Sequence, residues 1–354
     1  MPLFRFPFRP EPTASATTPG ASAPVGILWC NLGTPDAPEA PALRRYLGQF
    51  LSDPRIIEIP MALWRPILHG IILRTRPAKS AAKYASIWTP EGSPLRVWTE
   101  KQAKLLQGWL GERGHRVVVR HAMRYGQPDI GAQLDAFKAQ GIQRVLLLQA
   151  YPQYSGTTTA SVLDAVFDWG KQVRVLPELR CVNRYADDAG YIEALARSVR
   201  AHWATHGRID AAGSQARLLL SFHGIPERAV NLGDPYRDEC LTTARLLRER
   251  LGLPEALVQV SFQSRLGRAK WLEPYTEPTA QALAAQGVQR LDVLCPGFTA
   301  DCLETLEEIN QEVREAFQHA GGQTFHYIPC LNDAPAWIDA LGQLAVRHLA
   351  GWEN

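Results

Sequence analysis

The sequence predicts an α/β fold with two domains, each built on a doubly wound parallel sheet. The chain has 354 residues, a length typical of about two domains. Short apolar runs alternate with segments of helical periodicity, as expected for right-handed βαβ units. The hexapeptide AQGIQR at 139–144 recurs as AQGVQR at 285–290, each time as a helix end, a glycine cap and a strand entry. This repeat indicates two similar halves that face each other across a cleft.

The predicted elements divide the chain into four parts. Residues 1–23 are rich in Pro, Ala and Thr and predict a disordered tail. Residues 24–185 and 186–330 are expected to form the two domains, and the first of them carries an apolar lip at 61–73. Residues 331–354 supply an amphipathic helix that is expected to pack back on the first domain.

The elements follow from periodicity. Strands are predicted where apolar runs lie between turn-forming residues. They are 25–32, 116–121, 145–150, 173–176, 217–222, 258–262, 291–295 and 324–328. Helices are predicted where apolar residues recur at a spacing of three or four. They are 98–113, 129–140, 158–170, 189–206, 237–251, 276–286, 301–319 and 334–350.

Composition and charge exclude several classes of protein. The net charge of +3 is too small to indicate a nucleic-acid partner. The six cysteines include no CxxC pair, so we expect reduced thiols rather than a zinc finger or an iron–sulfur cluster. Residues 1–23 hold no signal-peptide core, and no stretch reaches the roughly 18 uninterrupted apolar residues of a membrane span. A cytoplasmic protein is expected.

His223 is the first candidate for chemistry. It directly follows the apolar run 217–222, and Gly224 and Pro226 end that strand abruptly. In an open parallel sheet, ligands bind at the carboxyl ends of the strands. By position alone, a hydrogen-bonded histidine of the core or a loop is an equally good interpretation.

The second candidate is an acidic stripe on the helix predicted at 301–319. At 100° per residue, one stripe about 80° wide contains several glutamates. They are Glu304, Glu308, Glu312 and Glu315, and the opposite side carries Leu306, Ile309, Val313 and Phe317. Glu304 directly follows a strand end, so we place it at the rim of the cleft, whereas the C-terminal members reach solvent. A wholly solvated stripe is the alternative, since exposed like-charge pairs cost only about 0.2–0.5 kcal/mol each.

Two kinds of site fit His223 together with Glu304. The pair suits a borderline divalent metal that is held weakly and passed on, since a closed structural site needs four ligands. It suits general acid–base chemistry equally well.

The lip at 61–73 combines leucine, isoleucine and tryptophan with Arg65 and is followed by Arg74 and Arg76. A core helix with a basic end is one interpretation. The other is an exposed surface that contacts a flat apolar ligand or a membrane. Elsewhere, Arg124–Tyr125 and the turn at 92–94 add donors suited to carboxylates, and Trp271 adds an aromatic wall.

Eight motifs resemble those of the ferrochelatase family, in the family's order over roughly residues 24–350. They are NLGTP at 31–35, GSP at 92–94, MRY at 123–125, YPQYS at 151–155, SFHGIP at 221–226, GDPY at 233–236, FQS at 262–264 and FTADCLETL at 298–306. The resemblance implies insertion of ferrous iron into protoporphyrin IX with release of two protons, the last step of haem synthesis. It also implies two Rossmann-like domains with the porphyrin in the cleft between them, a chelatase-like fold.

The resemblance also implies roles for particular residues. His223 and Glu304 match the metal-site pair, which is also credited with taking the pyrrole protons. Glu308 and Glu312 match an acidic row for protons or metal ions. The porphyrin-pocket positions are Tyr125, Ile225, Pro226, Trp271 and Phe298, with Tyr236 and Arg124 on the polar inner wall and Ser93 and Arg74 at the propionate-binding mouth.

The chain departs from the family pattern at informative positions. Family members with an iron–sulfur cluster carry a cysteine where this chain has Gly156 and further cysteines beyond Cys330, so we expect no cluster and no tightly bound cofactor. The coproporphyrin branch typically has tyrosine where this chain has Leu32, which favours protoporphyrin. Thr75 occupies the slot of the second arginine of the lip, and Arg76 follows it.

Three other functions fit parts of the sequence. A coproporphyrin III ferrochelatase is the nearest. A non-catalytic porphyrin or haem carrier would keep the pocket but would not need His223 and Glu304. A cobalt or nickel chelatase of the related families is usually shorter and has a more histidine-rich metal site. The expected partners are protoporphyrin IX and ferrous iron, with peripheral contact through 61–73 at the inner face of the membrane; a monomer is favoured.

Overall fold

A computed structural model describes residues 24–210, 215–265, 267 and 269–352. The tail predicted at 1–23 lies outside the described residues. Among the helices of the described part, none is both long and apolar enough to cross a membrane.

Two four-stranded parallel sheets form the framework. The first contains β1 (Val25–Gly33), β2 (Val117–Tyr125), β3 (Arg144–Gln149) and β4 (Glu178–Val182), in the order β2-β1-β3-β4. The second contains β5 (Ala216–His223), β6 (Val258–Gln263), β7 (Arg290–Leu294) and β8 (Thr324–Ile328), in the order β6-β5-β7-β8. The two orders are the same, so the predicted α/β class with two parallel sheets is confirmed.

Helices flank both sheets. They are α1 (Ala40–Phe50), α2 (Met61–Ile67), α3 (Leu73–Ile87), α4 (Pro94–Glu112), α5 (Ile130–Ala139), α6 (Ser161–Gly170), α7 (Ala189–His206), α8 (Glu227–Asn231), α9 (Tyr236–Leu251), α10 (Thr276–Ala285), α11 (Arg314–His319) and α12 (Pro335–Leu349). π-helical segments at Leu68–Ile72, Gly156–Ala160 and Glu304–Val313 lead into α3, α6 and α11. A short 3₁₀ helix, Glu255–Leu257, precedes β6.

The repeated hexapeptide spans the same junction in each half. α5 ends at Ala139 and α10 at Ala285. Gly141 and Gly287 then take φ angles of +72° and +91°, which glycine adopts without the strain that a Cβ atom would bring. A strand begins three residues after each glycine, as the sequence predicts.

One predicted strand is wrong. The apolar run 173–176 is not a strand, and Val175 and Leu176 are 66% and 57% exposed. The chain instead forms β4, which contains charged residues and pairs only with β3. Because an edge strand has a neighbour on one side only, it needs fewer apolar residues than a central strand. The apolar run therefore misplaced the strand by a few residues.

The largest core cluster joins residues of both halves. Within it, Trp29 of β1 packs on Trp337 of α12, with ring centroids 6.3 Å apart. α12 lies against α4 and α7, and Trp109 Nε1 of α4 donates to Asp339 Oδ1 at 3.1 Å. Since one core runs through both halves, the domain limits at 185 and 330 stay predictions.

Candidate active site

The site lies where the second sheet reverses its strand order. From β5 the chain continues to β6 on one side, whereas β7 lies on the other side of β5. Such a switch point opens a crevice at the carboxyl ends of the strands. His223 is the last residue of β5, and the segment after β7 carries Phe298 and Glu304. The topology thus brings His223 and this segment to the same edge of the sheet.

His223 presents one ring nitrogen to this edge. Its side chain is half-buried, and Nδ1 lies 2.6 Å from the carbonyl oxygen of Gly224. Because a carbonyl oxygen only accepts, Nδ1 carries the proton in the neutral ring, and Nε2 keeps its lone pair. The imidazole can therefore accept a proton or bind a metal ion through Nε2.

Two aromatic rings flank this histidine. The ring centroids of Trp271 and Phe298 lie 6.3 and 6.4 Å from that of His223. Trp271 is held there because Pro226 pairs with it in an antiparallel bridge and Leu272 N donates to Ile225 O at 3.0 Å. The predicted pocket positions Ile225, Pro226, Trp271 and Phe298 therefore surround the strand end that carries His223, with Ile225 itself buried.

Gly224 permits this close packing. A Cβ atom there would lie 3.1 Å from Gln263 O and 3.3 Å from the Trp271 ring. The backbone N–H of Gly224 also donates to Gln263 O at 2.7 Å. A side chain at this position would push the loop away from β6. Glycine is therefore required because the neighbouring atoms are so close, and not because of its φ angle.

Glu304 begins the π-helical segment and faces the first half. Its backbone carbonyl accepts a hydrogen bond from Gln263 Nε2 at 2.8 Å. Burial raises the pKa of the Tyr46 and Tyr84 phenols, and the negative charge of Glu304 raises both further. Tyr46 belongs to α1 and Tyr84 to α3, with ring centroids 6.5 Å apart. The half-buried Glu304 carboxylate therefore lies close to helices of the first half as well as to β6.

Glu308 is bound by Ser264, directly after β6. Ser264 N donates to Glu308 Oε1 at 2.7 Å, and the hydroxyl donates to Oε2. Burial raises the pKa of Glu308, and the negative charge of Glu304 raises it further. The hydrogen bonds from Ser264 and the charge of His223 lower the pKa, but the net shift is upward. Glu308 thus interacts electrostatically with both His223 and Glu304.

The predicted acidic stripe has the wrong helical period. Glu304–Val313 is a π-helix, whose hydrogen bonds span five residues and whose turns are wider than those of an α-helix. Glu307 and Glu312, five residues apart, therefore bind the same cation: Lys83 Nζ lies 2.9 Å from Glu307 Oε1 and 2.8 Å from Glu312 Oε1. Glu308 is bound by Ser264, whereas Glu307 and Glu312 bind Lys83, and the role predicted for Glu308 and Glu312 as an acidic row stays a prediction.

A buried carboxylate, Asp53, anchors Arg124 and Tyr125. Asp53 Oδ2 accepts from Arg124 Nη2 at 2.6 Å, from the Tyr125 hydroxyl at 2.8 Å and from Ser161 Oγ at 2.6 Å. Burial would raise the pKa of Asp53, but the hydrogen bonds, led by that from Ser161, lower it overall. The predicted wall residues Arg124 and Tyr125 are therefore rigidly held by the protein itself.

The remaining predicted positions vary in exposure. Ser93 is buried and accepts from Thr34 Oγ1 at 2.7 Å. Tyr236 is buried, with its hydroxyl close to Gly297. Leu32 is half-buried against the cluster that contains Tyr46 and Tyr125, and Arg74 is exposed.

Two of the family-like motifs meet across the halves. Asp234, in the GDPY motif, accepts from Gly156 N at 2.7 Å and from Ser155 Oγ at 3.1 Å through Oδ2. Ser155 ends the YPQYS motif that follows β3. The loop after β3 is thereby tied to the loop between α8 and α9, which connects the two halves near the site.

Sequence reasoning missed several residues of this site. Gln263 and Ser264 belong to the FQS motif but received no role, although their place after a strand was a usable signal. Lys83, in the basic segment that follows the lip, received no role. Asp53, a single acid between Ser52 and Pro54, carries no local signal.

Comparisons with known proteins agree with this geometry. A family model described as ferrochelatase matches residues 24–349. The ferrochelatase of Methylibium petroleiphilum is 65% identical over 343 residues, covering 97% of this chain and 92% of its own. That of a Polaromonas species is 63% identical over 346 residues, covering 98% and 93%.

A solved structure supports the fold alone. A multi-domain protein from Deinococcus radiodurans, described as structurally similar to chelatases, matches with a TM-score of 0.50 at 15% identity. The match covers 92% of this chain and 55% of that protein. Given the family match over nearly the whole described sequence and the identity to named relatives, the chain belongs to the ferrochelatase family.

Proposed function

We propose that this chain inserts ferrous iron into protoporphyrin IX, with His223 and Glu304 acting on the metal ion and the pyrrole protons. Membership of the ferrochelatase family assigns the reaction class, iron insertion into a porphyrin. The observation that supports the residue roles is the free Nε2 of His223, beside Glu308, which interacts electrostatically with both His223 and Glu304.

The reaction breaks two pyrrole N–H bonds and forms bonds from iron to the ring nitrogens. His223 Nε2 takes one proton as a neutral imidazole, and the Glu304 carboxylate takes the other or guides the cation. Glu308, with its raised pKa, accepts a proton more readily than an exposed carboxylate. It passes that proton toward solvent.

Porphyrin binding is assigned to the surrounding groups. Trp271 and Phe298 offer aromatic surface beside His223. Tyr125 and Arg124, anchored on Asp53, form a fixed polar wall. A rigid pocket can hold the macrocycle distorted, so that its N–H groups tilt toward the proton acceptors; binding of the apolar rim offsets the strain.

The propionates are assigned to the mouth of the pocket. Arg74 is exposed, and a guanidinium forms strong bidentate contacts with carboxylates. Ser93 lies in the same region of the family pattern but is buried against Thr34, so we assign it the support of that loop.

The preference for protoporphyrin rests on Leu32. This half-buried side chain packs against an aromatic cluster, where the coproporphyrin branch typically has tyrosine. A leucine favours the less polar macrocycle. Steady-state insertion of anaerobic ferrous iron into protoporphyrin IX and coproporphyrin III tests this directly. Faster turnover of coproporphyrin III would reassign the chain to the other branch.

We also propose that the enzyme is cytoplasmic and contacts the inner face of the membrane through the lip at 61–73. Leu63, Ile67 and Ile71 are 65%, 42% and 58% exposed. Such neighbouring apolar side chains beside Arg65 suit the interface of an anionic bilayer.

Cosedimentation with vesicles of phosphatidylcholine and phosphatidylglycerol tests the lip. The double change Leu63→Glu and Ile71→Glu is expected to weaken binding more than about 10-fold, because each side chain loses apolar burial. Leu241→Glu is the matched control, since Leu241 is 45% exposed on α9. Equal binding of all three proteins would contradict the contact.

The absence of an iron–sulfur cluster and the monomeric state also stay proposals. The support for the first is Gly156 at the loop position where cluster-containing relatives have cysteine. Iron and acid-labile sulfide in the purified protein, measured together with its sedimentation coefficient, test both. Sulfide in a stoichiometric amount would overturn the absence of a cluster. A sedimentation coefficient that corresponds to a dimer would overturn the monomeric state.

A fluorescence assay distinguishes the enzyme from a carrier. Zinc and a soluble porphyrin are mixed with the protein, and the zinc porphyrin emission is followed. A carrier would bind the porphyrin without forming the metalloporphyrin, whereas a ferrochelatase turns over repeatedly. Turnover confined to cobalt or nickel and a more reduced tetrapyrrole would instead indicate the related chelatases.

A further inference from the structure

Three histidines meet outside the site described above. His202 and His206 lie in the last turns of α7, and His326 is the middle residue of β8. One ring nitrogen of each lies within 4.8 Å of one ring nitrogen of the others. The ring centroids are 4.4 to 4.9 Å apart. Three imidazoles at this spacing can converge on one ion.

A buried carboxylate orients this cluster. Asp292 of β7 is fully buried, and its Oδ1 lies 3.0 Å from His326 Nδ1. Trp203 Nε1 and Arg290 Nη2 each donate to Asp292 Oδ2 at 2.8 Å. The carboxylate therefore holds the proton of His326 on Nδ1 and leaves Nε2 free. Histidine ligands of metals commonly have such a carboxylate behind them.

His202 is also placed to bind a metal ion. The His202 side chain is 11% exposed, and an imidazole binds a metal ion in its neutral form. Within the described part of the chain, its buried Nε2 has no hydrogen-bond partner and lies 4.0 Å from Asp292 Oδ2. A buried ring nitrogen without a partner is unfavourable, and a bond to a metal ion would relieve this.

We propose that His202, His206 and His326 bind a divalent first-row transition metal ion. Three imidazole nitrogens with a fourth position open to water suit Zn²⁺, Co²⁺ or Ni²⁺ and do not suit Mg²⁺ or Ca²⁺, which prefer oxygen. His206 is exposed, so an ion can enter from solvent. The three histidines are called the α7 histidine cluster below.

The α7 histidine cluster is separate from His223. Asp292 pairs with both His326 and Leu218 across the sheet. Leu218 precedes His223 by five residues along β5, which corresponds to about 16 Å. The two sites also lie on opposite faces: Leu218 packs in the core that contains α7, whereas the π-helix that begins at Glu304 packs on the core of the other face.

Cobalt binding tests the proposal. Co²⁺ is added to the full-length protein, and binding is followed by equilibrium dialysis and by visible absorption, which reports imidazole ligation. We expect His206→Ala to weaken the Co²⁺ affinity of this site by at least about 10- to 100-fold, the loss that even outer-shell changes cause. Because His206 is exposed, the variant should fold, and circular dichroism verifies this.

Matched variants separate the two sites. His319→Ala removes another exposed histidine at a helix end, on α11, and should leave Co²⁺ binding unchanged. The double variant His223→Ala and Glu304→Gln should retain the α7 site. Unchanged Co²⁺ binding by both His206→Ala and His326→Gln would overturn the proposal, as would loss of all binding in the double variant. These results do not depend on porphyrin metallation, so failure here is distinct from failure of the proposed function.

Discussion

The side-chain amide of Gln263 donates to the backbone carbonyl of Glu304 at 2.8 Å. Gln263 ends β6 and is the register partner of His223 on β5. One residue therefore contacts the strand that carries the histidine and the helix that carries the carboxylate. This contact ties the end of β6, next to His223, to the backbone of Glu304. Two side chains that accept protons from one substrate must be held rigidly relative to each other.

Replacement of His223 by alanine should abolish iron insertion while porphyrin still binds. Loss of a general base typically lowers a rate by about 10²–10⁴-fold, and the aromatic walls stay in place. Insertion kinetics and porphyrin fluorescence quenching measure the two effects. His319→Ala serves as a control with normal turnover. Normal turnover by His223→Ala would refute the assigned role.

The glutamates should differ in their effect according to where their carboxylates lie. Glu304→Gln should lower insertion by at least about 100-fold, because one of the two proposed proton acceptors is lost. Glu308→Gln should have a smaller effect, and Glu312→Gln should stay within about fivefold, since Glu312 forms an exposed ion pair with Lys83. Steady-state rates with zinc or ferrous iron rank the three. A larger loss at Glu312 than at Glu308 would contradict the division of the acids described above.

Removal of the Ser264 hydroxyl should change the pH dependence of insertion. Its hydrogen bond to Glu308 opposes the rise in the pKa of Glu308 that burial causes. Without it the pKa of Glu308 rises further, so the acidic limb of the kcat/KM profile should move to higher pH.

Two variants test the Ser264 effect. Ser264 has a φ angle of +59°, so Ser264→Gly removes the hydroxyl without the steric cost that Ser264→Ala adds. Both should shift the acidic limb alike, whereas Ser86→Ala, on the exposed side of α3, should not. An unshifted limb in both Ser264 variants would mean that Glu308 does not limit turnover.

Asp53→Ala should destabilise the protein by about 3–5 kcal/mol, because it leaves Arg124 without its buried partner. Asp53 is 3% exposed in its side chain and Arg124 21%. The control is Asp164→Ala, whose partner Arg55 is 43% exposed, so the expected cost is below about 1 kcal/mol. Denaturant unfolding at pH 7 measures both. Equal losses would contradict the anchoring role of Asp53.

The same carboxylate predicts acid sensitivity. The pKa of Asp53 is lower in the folded protein than its ordinary value of 3.8. Its contribution to stability is therefore complete above that value and is lost as the pH falls through the folded pKa. Asp53→Asn should flatten the loss of stability below about pH 4. The free energy of unfolding is measured in urea at several acidic pH values. If it falls with decreasing pH as steeply in Asp53→Asn as in the original protein, the lowered pKa of Asp53 is contradicted.

By itself, the sequence determined the fold class, most of the strands and helices, and the place of His223 at a strand end. Local patterns predict these elements: apolar runs, glycine caps and the repeated hexapeptide. Each pattern depends only on residues close together in the sequence, so it can be recognised without the tertiary structure. Seven of the eight predicted strands overlap observed ones. The eighth failed because β4 is an edge strand whose apolar pattern is weak.

Only the tertiary structure decided the details of the site. Lys83 binds Glu307 and Glu312 across more than two hundred residues of chain, and Asp53 anchors Arg124 from a loop without any motif. The helix at Glu304–Val313 is π-helical, although the apolar pattern of the sequence predicts an α-helix. Distant residues meet because the halves share one core, and no local pattern encodes that meeting. For this reason the candidate residues could be named from the sequence, whereas their partners could not.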